Sequence, residues 1–343
     1  MTTSQPPAKT IALVAMPGVQ LLDLAGPSDV FTCANNLLAA DSAGTIRPYT
    51  IVLLTATDSP HLTTSAGITL LGTGAVQQWQ APVDTLLVAG SPPATVDALP
   101  AAFFTWLATM TDSVRRMGSV CVGAFALAKA GILGGRRATT HWAFCTQLQA
   151  QFPAVQVEQA PFFVRDGHVY TSGGITSGMD LALALVEEDY GHALALRVAQ
   201  KLVLQLRRTG NQGQFHSLWP EIGEAPLLGR LRPWLAAHLR TAISVEQMAE
   251  HLHMSPRNFA RVFVKATGLP PAKFVEKLRL GAARRYLEET DLELDQVAQA
   301  CGLGNAVTLR RLFLKELQLS PRQYRASFQT ATPGSAVAFS AGS

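Results

Sequence analysis

The chain has 343 residues, 48% of them apolar and 15% charged, with 27 glycines and 20 prolines. That length exceeds one ordinary core and predicts two domains, while the composition excludes a disordered, collagen-like or coiled-coil protein. The formal charge of +4 is unevenly placed: residues 1–225 carry 12 basic and 15 acidic side chains, and residues 226–343 carry 16 and 9. A basic C-terminal third suggests a polyanion partner, although a solvated basic surface would read the same way.

Four cysteines, Cys33, Cys121, Cys145 and Cys301, are scattered without a CxxC or a metal-like Cys/His spacing. Reduced thiols are expected, with no metal and no cofactor. No apolar run approaches the roughly 20 residues that span a bilayer. The first apolar run, 11–16, follows a single Lys9 and stops at Pro17-Gly18, so it reads as a strand rather than a signal peptide. These features predict a soluble, cytoplasmic protein with no membrane partner.

Taken in order, the first half alternates short apolar runs with helical patterns, as a parallel sheet covered by helices would. Strands are expected at 11–15, 50–54, 85–89, 119–121 and 169–171. Helices are expected at 27–40, 101–110, 123–130, 142–151, 179–187 and 192–206. Ligands of open α/β sheets bind at the carboxyl ends of strands, which directs attention to the loops there. The boundaries expected are an α/β domain at 9–207, a polar, glycine-rich linker at 208–226, a helical domain at 227–326 and a disordered tail at 327–343.

The helical third repeats itself. FVKATGLPPAKF (263–274) aligns with FLKELQLSPRQY (313–324) at an offset of 50, and QMAEHLHM (247–254) with QVAQACGL (296–303) at 49. Each copy reads as helix-turn-helix. In the first, Val245, Met248, Ala249 and Leu252 form one buried stripe, and Ser244 with Gln247 forms a capping box. Ser255 and Pro256 then open a second helix, with Phe259, Val262, Phe263 and Ala266 inward and Arg257, Asn258, Arg261 and Lys265 outward. In the second copy Leu294, Val297, Ala298 and Cys301 face inward, Gly302 stops the helix, and Glu293 is a poor N-cap. The helix that follows, from about Asn305, turns Leu309, Leu312 and Phe313 in and Thr308, Arg310, Arg311 and Lys315 out. A plain helical bundle would show one such pattern; two copies with matching Arg261/Arg311 and Lys265/Lys315 are harder to account for that way. The intervening 271–287 segment, about 25 Å long as a helix, could hold two recognition helices about one DNA turn, roughly 34 Å, apart. Residues 227–326 resemble the AraC-type DNA-binding domain, including Arg279 in the connecting helix and the closing Leu-Ser-Pro-Arg-Gln-Tyr-Arg. The resemblance implies double-stranded DNA as partner, with the helices near Pro256 and Asn305 in successive major grooves.

In the larger part, GSVCVGAFALAKAGILGGRRATTHW (118–142) ends a strand at Cys121 and starts a helix almost at once. Such an elbow presents a nucleophile at the top of a sheet, and a thiol over a helix N-terminus is expected to have a lowered pKa. His141 and Asp23 could approach it, and backbone N–H groups near Gly90 and Val122 could stabilise an oxyanion. A buried cysteine is more commonly an inert apolar group. Asp23-Leu-Ala-Gly-Pro, the Cys121 elbow, Arg137-Ala-Thr-Thr-His141-Trp and Tyr170-Thr-Ser-Gly-Gly together resemble the PfpI-like (class I glutamine amidotransferase-like) superfamily over about 10–190. Carried over, its nucleophile, acid and histidine would be Cys121, Asp23 and His141. Enzymes with this elbow and an Asp often have Thr after the cysteine; Val122 stands here instead.

The fold class expected is therefore a parallel-sheet α/β sandwich of the PfpI-like type followed by an all-α twin helix-turn-helix domain. That order resembles the GlxA family of transcriptional regulators. The resemblance implies a non-enzymatic regulator, an activator by type, with an enzyme-derived sensor domain for a small-molecule effector. It also implies RNA polymerase as a further partner, and a homodimer. The alternative is a cysteine-dependent hydrolase or hydratase with an appended helical domain.

Overall fold

The five apolar runs of the first half become neighbouring strands of one sheet. The computed structural model describes residues 8–42, 48–215 and 226–329. The chain divides into two compact units, Met1–Gly213 and Gln214–Ser343.

In chain order the first unit contains β1 (Lys9–Ala15), α1 (Leu21–Asp41), β2 (Tyr49–Thr55), β3 (His61–Thr63), β4 (Thr69–Leu71), β5 (Gly74–Ala75), β6 (Thr85–Val88), α2 (Pro93–Ala98), α3 (Ala101–Thr111), β7 (Arg116–Val120), α4 (Gly123–Lys129), β8 (Arg137–Ala138), α5 (Cys145–Gln151), β9 (Gln156–Val157), β10 (Phe163–Asp166), β11 (Val169–Ser172), α6 (Thr176–Tyr190) and α7 (His192–Lys201). The main sheet has seven strands in the order β10-β11-β7-β6-β1-β2-β5. All its pairs are parallel except β10–β11. The expected parallel sheet is thus mixed, closed at one edge by a strand that Gly167 turns back on its neighbour. Central strands buried on both faces read as unbroken apolar runs, which is why the sequence exposes them. One core packs Val14, Val88, Phe103 and Leu127 on one side of the sheet; the other packs Leu13, Phe31, Leu181 and Val198 on the opposite side.

Four helices differ from expectation, and the one expected at 179–187 extends three residues at each end, to Thr176 and Tyr190. The helix expected from 27 begins at Leu21, with Pro27 inside it, so a proline that reads as a start sits in the second turn. The helix expected to run to 206 stops at Lys201, where Val203 takes a left-handed φ of 56°. The 142–151 stretch divides into a 3-10 turn, Trp142–Phe144, and α5. The β3–β4 hairpin and the β8–β9 pair are too short to leave a periodic signal.

Of the segment read as linker, residues 208–213 belong to the first unit. The Arg208 guanidinium grips Asp180 with two nitrogens and Thr176 Oγ1 at 3.0 Å, while Asn211 and Gln212 are buried. Residues 216–225 of that segment lie outside the described residues.

The second unit contains α8 (Pro226–His238), α9 (Val245–His251), α10 (Pro256–Thr267), α11 (Pro271–Glu289), α12 (Leu294–Ala300), α13 (Ala306–Leu317) and α14 (Pro321–Phe328). The tail expected from 327 starts later, since α14 runs to Phe328; residues 330–343 lie outside the described residues. Two small cores form, one per repeat. Phe259, Phe263, Phe274 and Met248 centre the first, and Leu309, Phe313, Tyr324 and Val297 the second. The long α11 serves both: Phe274, Val275 and Leu278 enter the first core, Leu280, Ala283 and Leu287 the second. The repeat places Phe274 opposite Tyr324, both fully buried. The tyrosine hydroxyl then needs partners, and it finds Arg284 Nε at 2.8 Å and the Glu288 carboxylate. Among the described residues no helix is long and apolar enough to cross a membrane.

Candidate functional site

The carboxyl ends of four adjacent strands meet at Cys121. Asp23 follows β1 in the first turn of α1, Gly90 follows β6, Cys121 follows β7 directly, and Gly174 and Ile175 follow β11. The α1 entry is clamped reciprocally: Gln20 N donates to Gly90 O at 3.0 Å, and Gly90 N donates to Asp23 Oδ2 at 3.2 Å. Ile175 N donates to Asp23 Oδ1 at 2.6 Å, so each carboxylate oxygen holds one backbone N–H. Cys121 sits at φ 59°, the strained left-handed geometry of an elbow, with its thiol toward Asp23. Room for that contact comes from missing side chains. A Cβ on Gly90 would lie 2.7 Å from both Asp23 Oδ2 and Cys121 Cβ, and one on Gly174, at φ +86°, would lie 2.1 Å from Cys121 Cβ.

The electrostatics reverse one expectation. Burial raises the Asp23 pKa to about 6 against the pull of the Ile175 and Gly90 N–H groups. Burial and then the Asp23 carboxylate push the Cys121 thiol far up, outweighing the Val122 N–H that favours thiolate. The expected lowering is therefore overturned: α4 has seven residues, and its terminus cannot offset desolvation plus a neighbouring anion. The pair carries at most one negative charge near neutral pH. That charge belongs on Asp23, which has the two backbone donors.

Asp23, Gly90, Cys121 and Val122 are thus brought together. His141 is linked only through its neighbour: Thr140 Oγ1 donates to Cys121 O at 2.8 Å, while His141 Nδ1 accepts from Ala143 N at 3.3 Å. The ring caps its own turn, is half-buried, and has its pKa lowered by desolvation. It makes no hydrogen bond to Cys121.

Two members of this site escaped the sequence reading. Ile175 contributes a backbone donor from φ 53°, and only the preceding Gly173-Gly174 hinted at an unusual turn. Gln212 lies in the polar, glycine-rich stretch that predicts a linker. Its buried amide nitrogen donates to Thr139 Oγ1 at 3.1 Å, Thr140 O at 3.3 Å and Pro161 O at 2.7 Å, behind the Thr140 that bonds the elbow.

In the second unit the outward faces expected on α10 and α13 are outward. Ser255, Arg257, Asn258, Arg261 and Lys265 are exposed, as are Asn305, Arg310, Arg311 and Lys315, with Thr308 half-buried. Several side chains have structural duties. Asn305 Oδ1 caps α13 through Thr308 N at 2.9 Å, whereas the Ser255 hydroxyl makes no cap bond. Arg261 Nη2 donates to Asn258 Oδ1 at 2.9 Å. Lys315 pairs with Glu276 of α11 at 2.7 Å, while its counterpart Lys265 has no ion pair among the described residues. The capping box at Ser244 and Gln247 forms as read. At Glu293, expected to cap poorly, Gln296 Oε1 accepts the Glu293 N–H at 3.0 Å.

Two family models match this chain: the DJ-1/PfpI family over residues 9–188 and a helix-turn-helix domain over residues 248–327. The HTH-type transcriptional regulator CdhR of Pseudomonas aeruginosa is 30% identical over 282 residues, 82% of this chain and 83% of that protein. The HTH-type transcriptional regulator GbdR of the same organism is 29% identical over 222 residues, 64% of this chain; the match spans 60% of its length. The isonitrile hydratase of Pseudomonas putida is 32% identical over 245 residues, 71% of this chain and 96% of that protein.

Proposed function

The chain belongs to the DJ-1/PfpI family and to the HTH-type transcriptional regulators that join such a domain to a helix-turn-helix unit; from that premise we propose that it binds duplex DNA sequence-specifically through α10 and α13, under control of a small effector bound near Cys121. The observation that carries the reading is the repetition itself. Two helices with separately packed cores present Arg261 and Arg311 at equivalent positions, an arrangement that serves two successive major-groove segments on one face of a duplex. Arg310 and Lys265 widen the cationic surface for phosphate contact, and the neutral Asn258 adds a polar group beside them. In the α/β unit, Asp23, Gly90, Cys121 and Val122 would form the effector wall, and Val122 leaves it more apolar than a hydroxyl side chain would. A homodimer would bring two such helical units to one operator, and RNA polymerase is the partner an activator would engage. The test is recovery and sequencing of genomic fragments bound by the full chain. Recovery of fragments with no shared motif would sink the reading.

A second reading, turnover at Cys121, is supported by the strained elbow and its contact with Asp23, and by the likeness to a hydratase. The two separate cleanly with Cys121→Ala. A sensor keeps operator binding and loses or alters its effector response; an enzyme loses turnover of an isonitrile.

A further inference from the structure

The helices α10 and α13 can be compared position by position, because the 50-residue offset sets Pro256 against Ala306 and Phe263 against Phe313. Their inward rows match in kind, with Phe259 and Phe263 buried in one and Leu309 and Phe313 in the other. The outward row at i, i+4, i+7 is Arg257, Arg261, Val264 in α10 and Val307, Arg311, Leu314 in α13. Two of the three positions agree in chemistry: paired arginines, then paired exposed aliphatics, Val264 at 42% and Leu314 at 49%. The first does not. Arg257 corresponds to Val307, which is 72% exposed.

An exposed valine in the first turn of a helix does nothing for the fold. Its β-branch lowers helix propensity, and its methyl groups remain in water. Its position is nevertheless firmly held. Asp295 Oδ1 accepts from Ala306 N at 2.7 Å and Asn305 Oδ1 from Thr308 N at 2.9 Å, so the start of α13 is pinned on both sides of Val307. The first-turn residues of a recognition helix meet base edges in the major groove. There an aliphatic tip finds the thymine methyl, whereas an arginine finds guanine O6 and N7.

We infer that the chain reads an asymmetric DNA site, with guanine selected at the Arg257 contact under α10 and thymine at the Val307 contact under α13. The inference rests on the base-reading role proposed above for these helices. Repetition supplies two similar readers, and the difference at the first position of this row makes them distinguishable in base preference, so the protein has one orientation on its site.

The test uses the full chain and a pool of random duplexes, selected and sequenced to give a motif. The segment under α13 is identified as the one whose preference relaxes in Arg311→Ala. Each thymine of the best duplex is then replaced singly by uracil, which removes only the methyl group. One replacement in that segment is expected to weaken wild-type binding about fivefold. Val307→Ala is expected to be indifferent to the same replacement. Val307→Arg is expected to move the preference there from thymine to guanine by about tenfold or more, and Arg257→Val to lose guanine in the other segment. Uracil replacements without effect on the wild-type chain anywhere in that segment overturn the inference, and so does a folded Val307→Arg variant that selects the wild-type motif; either leaves sequence-specific binding standing. A wild-type chain that enriches no motif overturns the base-reading role itself, and the inference with it.

Discussion

The elbow around Cys121 and the outward faces of α10 and α13 are opposite ways of building a site. The elbow is single, buried and strained, and depends on atoms that are absent, at Gly90 and Gly174, as much as on those present. The helical faces are repeated, exposed and unstrained, and each sits on its own small core. A buried site changes when any wall residue changes. A repeated face loses function one contact at a time.

The strongest test of the contrast is ionic strength. DNA binding by the full chain is expected to weaken about 10³-fold between 50 and 200 mM salt, for about six phosphate contacts. Cys121→Ala should leave that slope unchanged, measured by fluorescence anisotropy; a flatter slope in the variant would mean the two sites are not separable. Next in size is Gly174→Ala. Its Cβ would lie 2.1 Å from Cys121 Cβ on a backbone at φ +86°, so the elbow must shift, at a cost of about 3 kcal/mol in denaturant unfolding of the α/β unit. A loss below about 1 kcal/mol would show that the elbow is less tightly enclosed than the distances imply.

The Asp23 carboxyl sharpens the comparison through pH. Its folded pKa of about 6 lies above the ordinary 3.8, so its stabilising contribution is full below about pH 4 and disappears as pH rises through 6. Over that window the group should withdraw about 2–3 kcal/mol from the fold. Asp23→Asn should lack this component, seen as a flatter Tm between pH 4 and 7. If the wild type gains stability from this group across the window, the carboxylate is better solvated than its burial indicates. Gln212→Ala should cost about 2 kcal/mol, because Thr140 O and Pro161 O lose a buried donor. An effect near zero would return this glutamine to the status of linker.

The smallest effect concerns the thiol. Asp23→Asn removes the anion that disfavours Cys121 thiolate, so alkylation of Cys121 at pH 8 should quicken about tenfold. Slower alkylation would mean that Asp23 takes the thiol proton, the behaviour expected of an enzyme.

Much of this organisation could be read without coordinates. Central strands announce themselves as apolar runs, and helices α9, α10, α12 and α13 follow from stripes at 3.6 spacing, the first with its Ser244 cap. The repeat exposes its own equivalences, from Ala249/Ala298 to Arg261/Arg311. Pro27 misled because a proline within a helix and one at its start look the same in one dimension. Gln212 misled because a polar residue among glycines reads as loop, whereas its three acceptors lie 51 to 73 positions away in the chain.

By itself the sequence determined what is periodic and local: the strands, the helical stripes, the Ser244 capping box, the two basic outward rows and the turn that carries Cys121. These depend on neighbours within a few residues, and a linear pattern records them. Only the tertiary structure decided that Asp23, Gly90, Cys121 and Ile175 form one buried cluster, that His141 caps its own turn, and that the thiol is disfavoured as an anion rather than activated. Those outcomes turn on desolvation and on hydrogen bonds between strand ends up to 152 residues apart. Burial is a property of what surrounds a group in space, and no spacing in the chain encodes it.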